Sequence, residues 1–473
     1  MYWHITLATL FCLPEWQASG MLNRSPQEGD PRVVQLSLQR RKIEDPVAYD
    51  RQRVVKRKGI VQTDLRNQKT LYFFNASLGT PPQDLRLHLD TGSSDLWVNT
   101  PSSSFCKSSN RICSESGTYE ANSSSTYQYL NSQFNISYVD GSSAHGDYAT
   151  ETFRFDDISI DNFQFGVGYV SNSPQGILGI GYPENEVQAV RFEQRPYDNL
   201  PARLVTDGRV ETNAYSIWLD DINSTTGSLL FGGIDKSQFR GKLVTIPVQK
   251  VGSSYREFFI TMTGLDSGSQ SIANGIALAV LLDTGSSLTY LPDDLANSIF
   301  QAVNATWLKQ SQIAVIPCDK GLSDDSITFH FSEPASISVR MRELVLPIIS
   351  ANGRPPRLSD GSTACLFGIF PSGSGAGVLG DTFLRSAYVV YDIANNEVSL
   401  AQSNFDAKLA GSDIVEIGPG GNQLPDATVA PNPVSAKSGL PVPGGAALSA
   451  PSTWQQIGLT LFAMLVSCGV EWV

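Results

Sequence analysis

The pattern of apolar and polar positions changes several times along the 473-residue chain. After an apolar start and a polar, basic stretch, short segments from about residue 70 alternate apolar and polar side chains between Gly-, Pro- and Asp-containing turns. Alternation with a period of two predicts β-strands with one buried face. The clearest helical stretch is Pro292–Leu308. We therefore expect an all-β body that ends near residue 405.

The first 58 residues predict two segments that precede this body. An apolar run over residues 5–13, followed by the small residues Ala18-Ser19-Gly20, predicts a signal peptide over residues 1–20. Residues 21–58 contain ten Lys/Arg and five Asp/Glu and end at the dibasic step Lys56-Arg57. Such a leader is typical of a propeptide with a processing site, and a solvated charged segment is the alternative.

The C-terminal part predicts a membrane attachment. Residues 406–456 are rich in Gly, Pro, Ser and Ala, which is linker composition. Small residues at Gly444-Gly445-Ala446, a spacer and the apolar tail 457–473 match the signal for a glycolipid anchor. A short membrane span, or neither, remains the alternative. Together with the signal peptide, this pattern predicts an extracellular protein at the cell surface, anchored to the plasma membrane.

Charge separates the leader from the body. The net charge of the whole chain is −12, residues 21–58 contribute +5, and the chain from residue 59 onward carries −16. A basic leader ahead of an acidic body predicts that the leader docks on the body. An acidic body also disfavours nucleic acid as a partner.

Four of the six cysteines lie in the body, namely Cys106, Cys113, Cys318 and Cys365. Four cysteines allow three pairings. The nearest-neighbour pairing, Cys106–Cys113 and Cys318–Cys365, would stabilise the fold by about 2.5 and about 4 kcal/mol through chain entropy. No Cys-x-x-Cys pair is present, so we interpret these residues as structural disulfides of an oxidising compartment.

An internal repeat carries the candidate chemistry. The segment Leu87–Leu96 contains Asp90-Thr91-Gly92-Ser93, and Val280–Leu288 contains Asp283-Thr284-Gly285-Ser286. Each copy follows an apolar strand, and each is followed by a second element, Gly176–Gly179 or Gly377–Gly380. The chain is therefore a duplication with one acid turn in each half.

The residue types in the repeat indicate how the two acids could hydrolyse a peptide bond. Gly allows close approach of the backbone at the turn, and the neighbouring hydroxyls can orient the carboxylate. Two carboxylates around one water cannot both ionise, so Asp90 and Asp283 would share a proton. One acid would then accept a proton from water while the other protonates the peptide carbonyl. No metal or cofactor is needed.

These motifs resemble the pepsin family of bilobal aspartic proteases over about residues 68–405. The resemblance implies an N-terminal lobe at 68–245 and a C-terminal lobe at 246–405, two related β-barrel-like lobes with the active-site cleft between them. It implies an aspartic endopeptidase, a monomer, that acts on protein or peptide substrates at acidic pH. It also implies that the basic leader lies across the cleft as an intramolecular inhibitor. The residues that match supporting positions are Thr91, Gly92, Ser93, Thr284, Gly285, Ser286 and Trp97.

The segment after Phe134 predicts a mobile hairpin over the cleft, with Asp140-Gly141 as its turn. Within the resemblance, Tyr138 matches the flap tyrosine, and Val139 replaces a common Gly. The nearest subgroup is the fungal, surface-anchored yapsin type, which cuts after basic residues. We therefore expect a preference for Lys or Arg, with Asp140 as one contact. Asp140 as a simple turn former is the alternative.

Five sequons predict N-glycans on the body: Asn75, Asn122, Asn135, Asn223 and Asn304. Asn75 and Asn135 lie within strand patterns, so we expect only part of this set to be used.

Other functions fit less well. The sequence has four histidines, no G-x-S-x-G and no H-E-x-x-H, which disfavours serine hydrolases and metalloproteases. A catalytically inactive protease fold that only binds, or a structural wall protein, remains as a rival. Both acid turns are intact, which favours the enzyme.

Overall fold

The computed structural model describes residues 32–43, 65–67, 69–103, 105–107, 113–138, 142–350, 354–407, 411–420 and 424–441. The predicted signal peptide, the processing step Lys56-Arg57, the flap residues Val139, Asp140 and Gly141, the candidate anchor site Gly444–Ala446 and the apolar tail lie outside these residues. Within the described residues the fold is mostly β, as predicted.

The strands of the first half precede residue 248. They are β1 (Val34–Ile43), β2 (Leu65–Asn67), β3 (Lys69–Leu78), β4 (Gln83–Asp90), β5 (Leu96–Asn99), β6 (Gln128–Ser137), β7 (Ser143–Phe155), β8 (Ile158–Ser171), β9 (Ile177–Gly179), β10 (Ala214–Trp218), β11 (Thr226–Phe231), β12 (Gly233–Asp235) and β13 (Phe239–Pro247).

The strands of the second half follow, with short helices between strands in both halves. The strands are β14 (Phe259–Ser267), β15 (Gln270–Leu282), β16 (Thr289–Leu291), β17 (Thr306–Leu308), β18 (Ile313–Pro317), β19 (Ser326–His330), β20 (Ser336–Arg340), β21 (Val345–Ser350), β22 (Ala364–Phe367), β23 (Ile369–Pro371), β24 (Gly377–Leu379), β25 (Ala387–Asp392), β26 (Glu397–Ser403), β27 (Ile414–Glu416) and β28 (Ala427–Val429). The α-helices are Val187–Phe192, Leu200–Thr206, Asp293–Val303, Met341–Leu344 and Asp381–Leu384.

The two halves repeat one strand arrangement. In the first half β4 pairs in parallel with β9, β9 pairs antiparallel with β5, and β5 pairs in parallel with β8. In the second half β15, β24, β16 and β23 pair in the same order and the same directions. The duplication inferred from the acid turns therefore extends to the sheet that carries them.

One large sheet joins strands from both halves. Within the described chain its order is β28-β13-β26-β25-β10-β11-β1-β3-β4-β9-β5-β8-β7-β6. Strand β1, from the predicted propeptide, lies in the middle and pairs antiparallel with β11 and with β3. Leu36 and Leu38 on β1 are buried in the main core. This part of the leader is thus a strand of the sheet, whereas we predicted a segment across the cleft.

Residues 411–420 and 424–441, which we call the C-terminal strap, pair with the body, whereas their sequence predicted a linker. Strand β27 pairs with β12, and β28 pairs in parallel with β13 at the edge of the large sheet. Ile417 and Ala430 are buried. Further along, the Ala279 N–H donates to the Ser438 carbonyl at 2.9 Å. Composition predicted a linker because the strap has few apolar side chains, but backbone pairing with a sheet edge needs few.

The predicted helix Pro292–Leu308 is shorter in the structure. It spans Asp293–Val303 and ends at Asn304, which adopts a left-handed conformation with φ 62°. Residues Thr306–Leu308 form β17 instead. Asn at such a position is a common end of a helix, and this signal explains the earlier stop.

Both nearest-neighbour disulfides are present. Cys106 is bonded to Cys113 and Cys318 to Cys365, with Cα–Cα distances of 5.4 and 5.0 Å. The second bond joins the short 3₁₀ segment after β18 to β22 within the second half.

Candidate active site

Each acid of the repeat lies at the carboxyl end of a buried strand. Strand β4 ends at Asp90, which is in register with Gly179 of β9. Strand β15 ends at Leu282, and the next N–H, that of Asp283, donates to the Leu379 carbonyl of β24. Apolar residues before each acid fix the strand in the core, so each carboxylate leaves the sheet at the same kind of edge.

The turn after each acid orients its carboxylate. The Gly92 N–H and the Ser93 hydroxyl donate to the two oxygens of Asp90 at 2.9 and 2.5 Å. The Gly285 N–H and the Ser286 hydroxyl donate to Asp283 at 2.8 and 2.7 Å. Such donors favour the ionised carboxylate. The two turns therefore present their acids in matching ways.

The threonines of the two turns connect the halves. The Thr91 hydroxyl donates to the Leu282 carbonyl at 2.9 Å, and the Thr284 hydroxyl donates to the Leu89 carbonyl at 3.0 Å. Each hydroxyl also accepts the backbone N–H of the other threonine, at 3.1 Å in both directions. Both side chains are buried. This reciprocal set fixes the separation of the two acid turns.

The two carboxylates converge on one point. A Cβ atom built on Gly285 would lie 2.5 Å from Asp90 Oδ1 and 3.0 Å from Asp283 Oδ1. A Cβ on Gly92 would lie 2.6 Å from Asp283 Oδ1. Both carboxyl groups are thus within reach of a single water-sized volume, and only glycine leaves room for them.

Electrostatics places a shared proton at this site. Asp90 is only 4% exposed. Burial, and then the negative charge of Asp283, raise the pKa of Asp90 well above its usual range, against the opposing effect of the Ser93 hydroxyl. Asp90 therefore holds its proton more tightly than a carboxyl group in water does.

Strands β6 and β7 form the flap hairpin beside Asp90. The Tyr138 N–H donates to the Ser142 carbonyl at 2.8 Å, just before the undescribed tip. The buried Trp97 donates its indole N–H to the Tyr138 hydroxyl at 2.8 Å. Burial, and then the charge of Asp90, raise the pKa of Tyr138. Tyr138 therefore lies near Asp90 with Trp97 as its support.

Three acidic groups lie near the site in addition to the two acids of the repeat. Asp95 and Glu186 are both fully buried under the flap hairpin. Glu257 lies two residues before β14 and is close enough to Asp283 for the charge of that carboxylate to act on it. Asp95 follows the first acid turn directly and was visible in the motif, but the distant Glu186 and Glu257 gave no signal in sequence.

The sequons differ in exposure. Asn75, Asn122, Asn223 and Asn304 are exposed, whereas Asn135 is half-buried on β6 and opposite His145. Among the described residues, no group of His, Cys, Asp and Glu side chains is arranged to hold a metal ion. No helix in the described ranges is long and apolar enough to span a membrane.

Comparison with known proteins decides the family. The model of the eukaryotic aspartyl protease family matches residues 71–403. The chain belongs to this family. It is a pepsin-like aspartic protease, and its duplicated acid turns are the motifs on which the resemblance to this family was based.

Fungal relatives share most of the chain. A probable aspartic-type endopeptidase opsB of Aspergillus fumigatus is 48% identical over 415 residues, which cover 87% of this chain and 84% of the relative. The OPSB protein of Arthroderma benhamiae is 45% identical, over 86% of this chain and 83% of the relative. Secreted aspartic protease 1 of Candida albicans is 37% identical, over 81% and 94%.

Proposed function

We propose that this protease is a secreted or cell-surface endopeptidase that hydrolyses peptide bonds by activating water between Asp90 and Asp283. The observation that carries the proposal is the convergence of both carboxyl groups on one water-sized volume beside Gly285. The ionised acid accepts a proton from water, and the protonated acid donates to the peptide carbonyl. The roles then reverse to protonate the leaving amine.

The test is digestion of a peptide library at about pH 4, where the pair would hold one proton. We expect Asp90→Asn and Asp283→Asn each to lower kcat/KM at least about 100-fold, because each removes one acid–base group. Asp294→Asn, an exposed acid on the helix Asp293–Val303, is the matched control and should cleave normally. A parent protein that binds peptides without cutting them would indicate the inactive binding fold.

The pH dependence follows from the shared proton. Because the pKa of Asp90 is raised by burial and by Asp283, the pair keeps its proton in acid and loses it as the pH rises. Loss of the proton removes the general acid, and a second proton at very low pH removes the base. We therefore expect a bell-shaped profile with its maximum in acid.

The leader acts as an inhibitor until the Lys56-Arg57 step is cut. Support comes from the net positive charge of residues 21–58, which is opposite to that of the acidic body. Residues 34–43 of this leader form β1 in the large sheet. A precursor with Lys56→Gln and Arg57→Gln should remain uncut and nearly inactive. Full activity of this uncut precursor in acid would contradict the proposal.

A preference for Lys or Arg in the substrate completes the proposal. Asp140 in the sequence of the flap segment supports it, and Glu257 near Asp283 adds a second carboxyl group. Burial, and then the charge of Asp283, raise the pKa of Glu257 to about 7. Paired peptides with Arg or Leu before the cut test the preference, and equal rates would remove it.

The candidate glycolipid anchor rests on the sequence of residues 444–473 and on the secreted character of a relative. Mass spectrometry of the mature C-terminus tests it. A C-terminus near Gly444–Ala446 carrying a glycolipid supports the anchor. Recovery of residues 457–473 in the mature protein excludes it.

A further inference from the structure

Two buried carboxyl groups lie beneath the flap hairpin and take no part in the proposed reaction. Asp95 follows the first acid turn, and Glu186 precedes the helix Val187–Phe192. Both side chains are 0% exposed. The charged groups that act most strongly on Glu186 are all acids, namely Asp95, Glu184 and Asp198. Two ionised carboxylates in such a place would be very costly without a cation.

The hydrogen bonds around Asp95 are typical of an ionised carboxylate. One oxygen accepts the hydroxyls of Tyr148 and Tyr197 at 2.5 and 3.0 Å, and the other accepts the Val187 N–H at 2.9 Å. Three donors on one carboxylate favour its charged form.

The surroundings of Glu186 stabilise a negative charge much less than those of Asp95. One of its oxygens accepts the Tyr197 N–H at 2.8 Å, and the other is buried and accepts no hydrogen bond from any described residue. The nearest arginines along the chain, Arg191 and Arg195, are exposed, and Arg191 donates to Ser137 on the flap hairpin. Glu186 is therefore the group that must stay neutral.

The pair is connected to the flap by packing. The Tyr148 ring packs edge-on against Phe134 at 5.4 Å between ring centres, and Phe134 packs against Trp97 at 6.2 Å. Trp97 in turn holds the Tyr138 hydroxyl. These residues form one buried cluster with Ile136 and Val187. A change at Asp95 or Glu186 is therefore transmitted to the support of Tyr138.

We propose that Glu186 stays protonated near the ionised Asp95 in the folded enzyme, and that this proton positions the base of the flap. Burial, and then the charge of Asp95, raise the pKa of Glu186 well above its usual range, and burial also raises that of Asp95. Because the folded state holds the proton more tightly than the unfolded chain, unfolding releases it. Stability is therefore complete in acid and is lost as the pH rises through the range between the two pKa values.

The decisive experiment compares Glu186→Gln with its parent, both in an Asp90→Asn background that prevents self-digestion. The amide keeps the shape of Glu186 and cannot ionise. Urea unfolding should give similar stabilities near pH 4, and from about pH 5 to pH 8 the unfolding equilibrium constant of the parent should rise relative to the variant by up to tenfold per pH unit. Glu193→Gln, an exposed acid that is not among the groups acting on Glu186, should follow the parent. Parallel curves for Glu186→Gln and the parent would overturn the proposal.

The active enzyme supplies a second readout, which rests on the proposed peptidase function while the unfolding measurement does not. Glu186→Gln should leave both limbs of the pH profile of kcat/KM close to those of the parent, because the amide holds the flap base as the neutral acid does and the limbs are set by the Asp90–Asp283 pair. If Glu186→Gln does not fold, infrared spectra at about pH 7 of a protein with Asp90→Asn and Glu257→Gln, which remove the two carboxyl groups of raised pKa described above that lie outside this pair, still decide the point. A carboxylic acid signal must persist there and disappear when the protein unfolds. Absence of that signal would refute the proposal.

Discussion

The two acid turns have the same hydrogen bonds around their carboxylates, but they differ in the residues that follow. Both have the same Gly and Ser donors and the reciprocal threonine bonds. Five residues after the acid, however, the first turn has Asp95 and the second has Leu288, and both are buried. Seven residues after it, Trp97 corresponds to Tyr290. The two halves therefore have the same donors around both acids, whereas Asp95 and Trp97 have no acidic or indole counterpart at the matching positions of the second half.

The largest effects should come from the shared glycines. Gly92→Ala and Gly285→Ala place a methyl group within 2.6 Å of a carboxylate oxygen. Displacement of either acid should lower kcat/KM at least about 100-fold. Steady-state kinetics with one peptide substrate checks this, and the two variants should be about equally impaired. A large difference in kcat/KM between the two variants would contradict the equivalence of the two acid turns.

The threonine bonds should contribute to stability equally from both sides. Thr91→Val and Thr284→Val each leave one buried carbonyl and one buried N–H without their partner. The free energy of unfolding should fall by about 2–4 kcal/mol in each case. Urea unfolding in the Asp90→Asn background measures it, with Thr→Ser at the same positions as the matched control that retains the hydroxyl.

Substitution of Trp97, which supports the flap, should lower activity more than the corresponding substitution in the second half. Trp97→Phe removes the N–H that the Tyr138 hydroxyl accepts, and we expect kcat/KM to fall about tenfold for the loss of one such bond. Tyr290→Phe, the corresponding change in the second half, should lower it much less. Equal losses at the two positions would show that Trp97 does not act through the flap.

The smallest effect concerns substrate preference. As Glu257 ionises near pH 7, the preference for Arg over Leu should increase a few-fold between about pH 5 and pH 7, because a charged carboxylate pairs with Arg more strongly. Glu257→Gln should abolish the increase. Asp140→Asn, in contrast, should lower the preference throughout this range if the flap tip makes the contact. Ratios of kcat/KM for paired peptides measure both.

The acid site was predictable because its determinants are local. Each Asp-Thr-Gly-Ser turn follows an apolar strand, so the sequence shows the acid, its orienting donors and its place at a strand end together. The family resemblance then predicted that Trp97 and Tyr138 belong to the flap and its support, although they are distant from one another along the chain. The structure brings these two together with Asp90 through a hydrogen bond that no periodicity encodes.

Other features depend on long-range pairing and were missed. Glu186 approaches Asp95 only through the packing of a later loop, and Glu257 comes near Asp283 only through the packing of the segment before β14. The strap was predicted as a linker because its composition carries no apolar pattern, yet its backbone completes sheet edges. For the same reason β1, in the basic leader, was not predicted to be a central strand.

The strap sets how far a membrane-attached form could act. It remains in contact with β15 through Ser438, and the described chain ends at residue 441. If a lipid were attached at Gly444–Ala446, at most eight residues would separate the contact at Ser438 from the attachment residue, a span of up to about 27 Å. Leu278, which bridges Ser438, lies about 17 Å along the strand from Asp283. Hydrolysis would then be confined to peptide bonds within about 45 Å of the attachment residue, so neighbouring surface proteins would be favoured over freely diffusing ones.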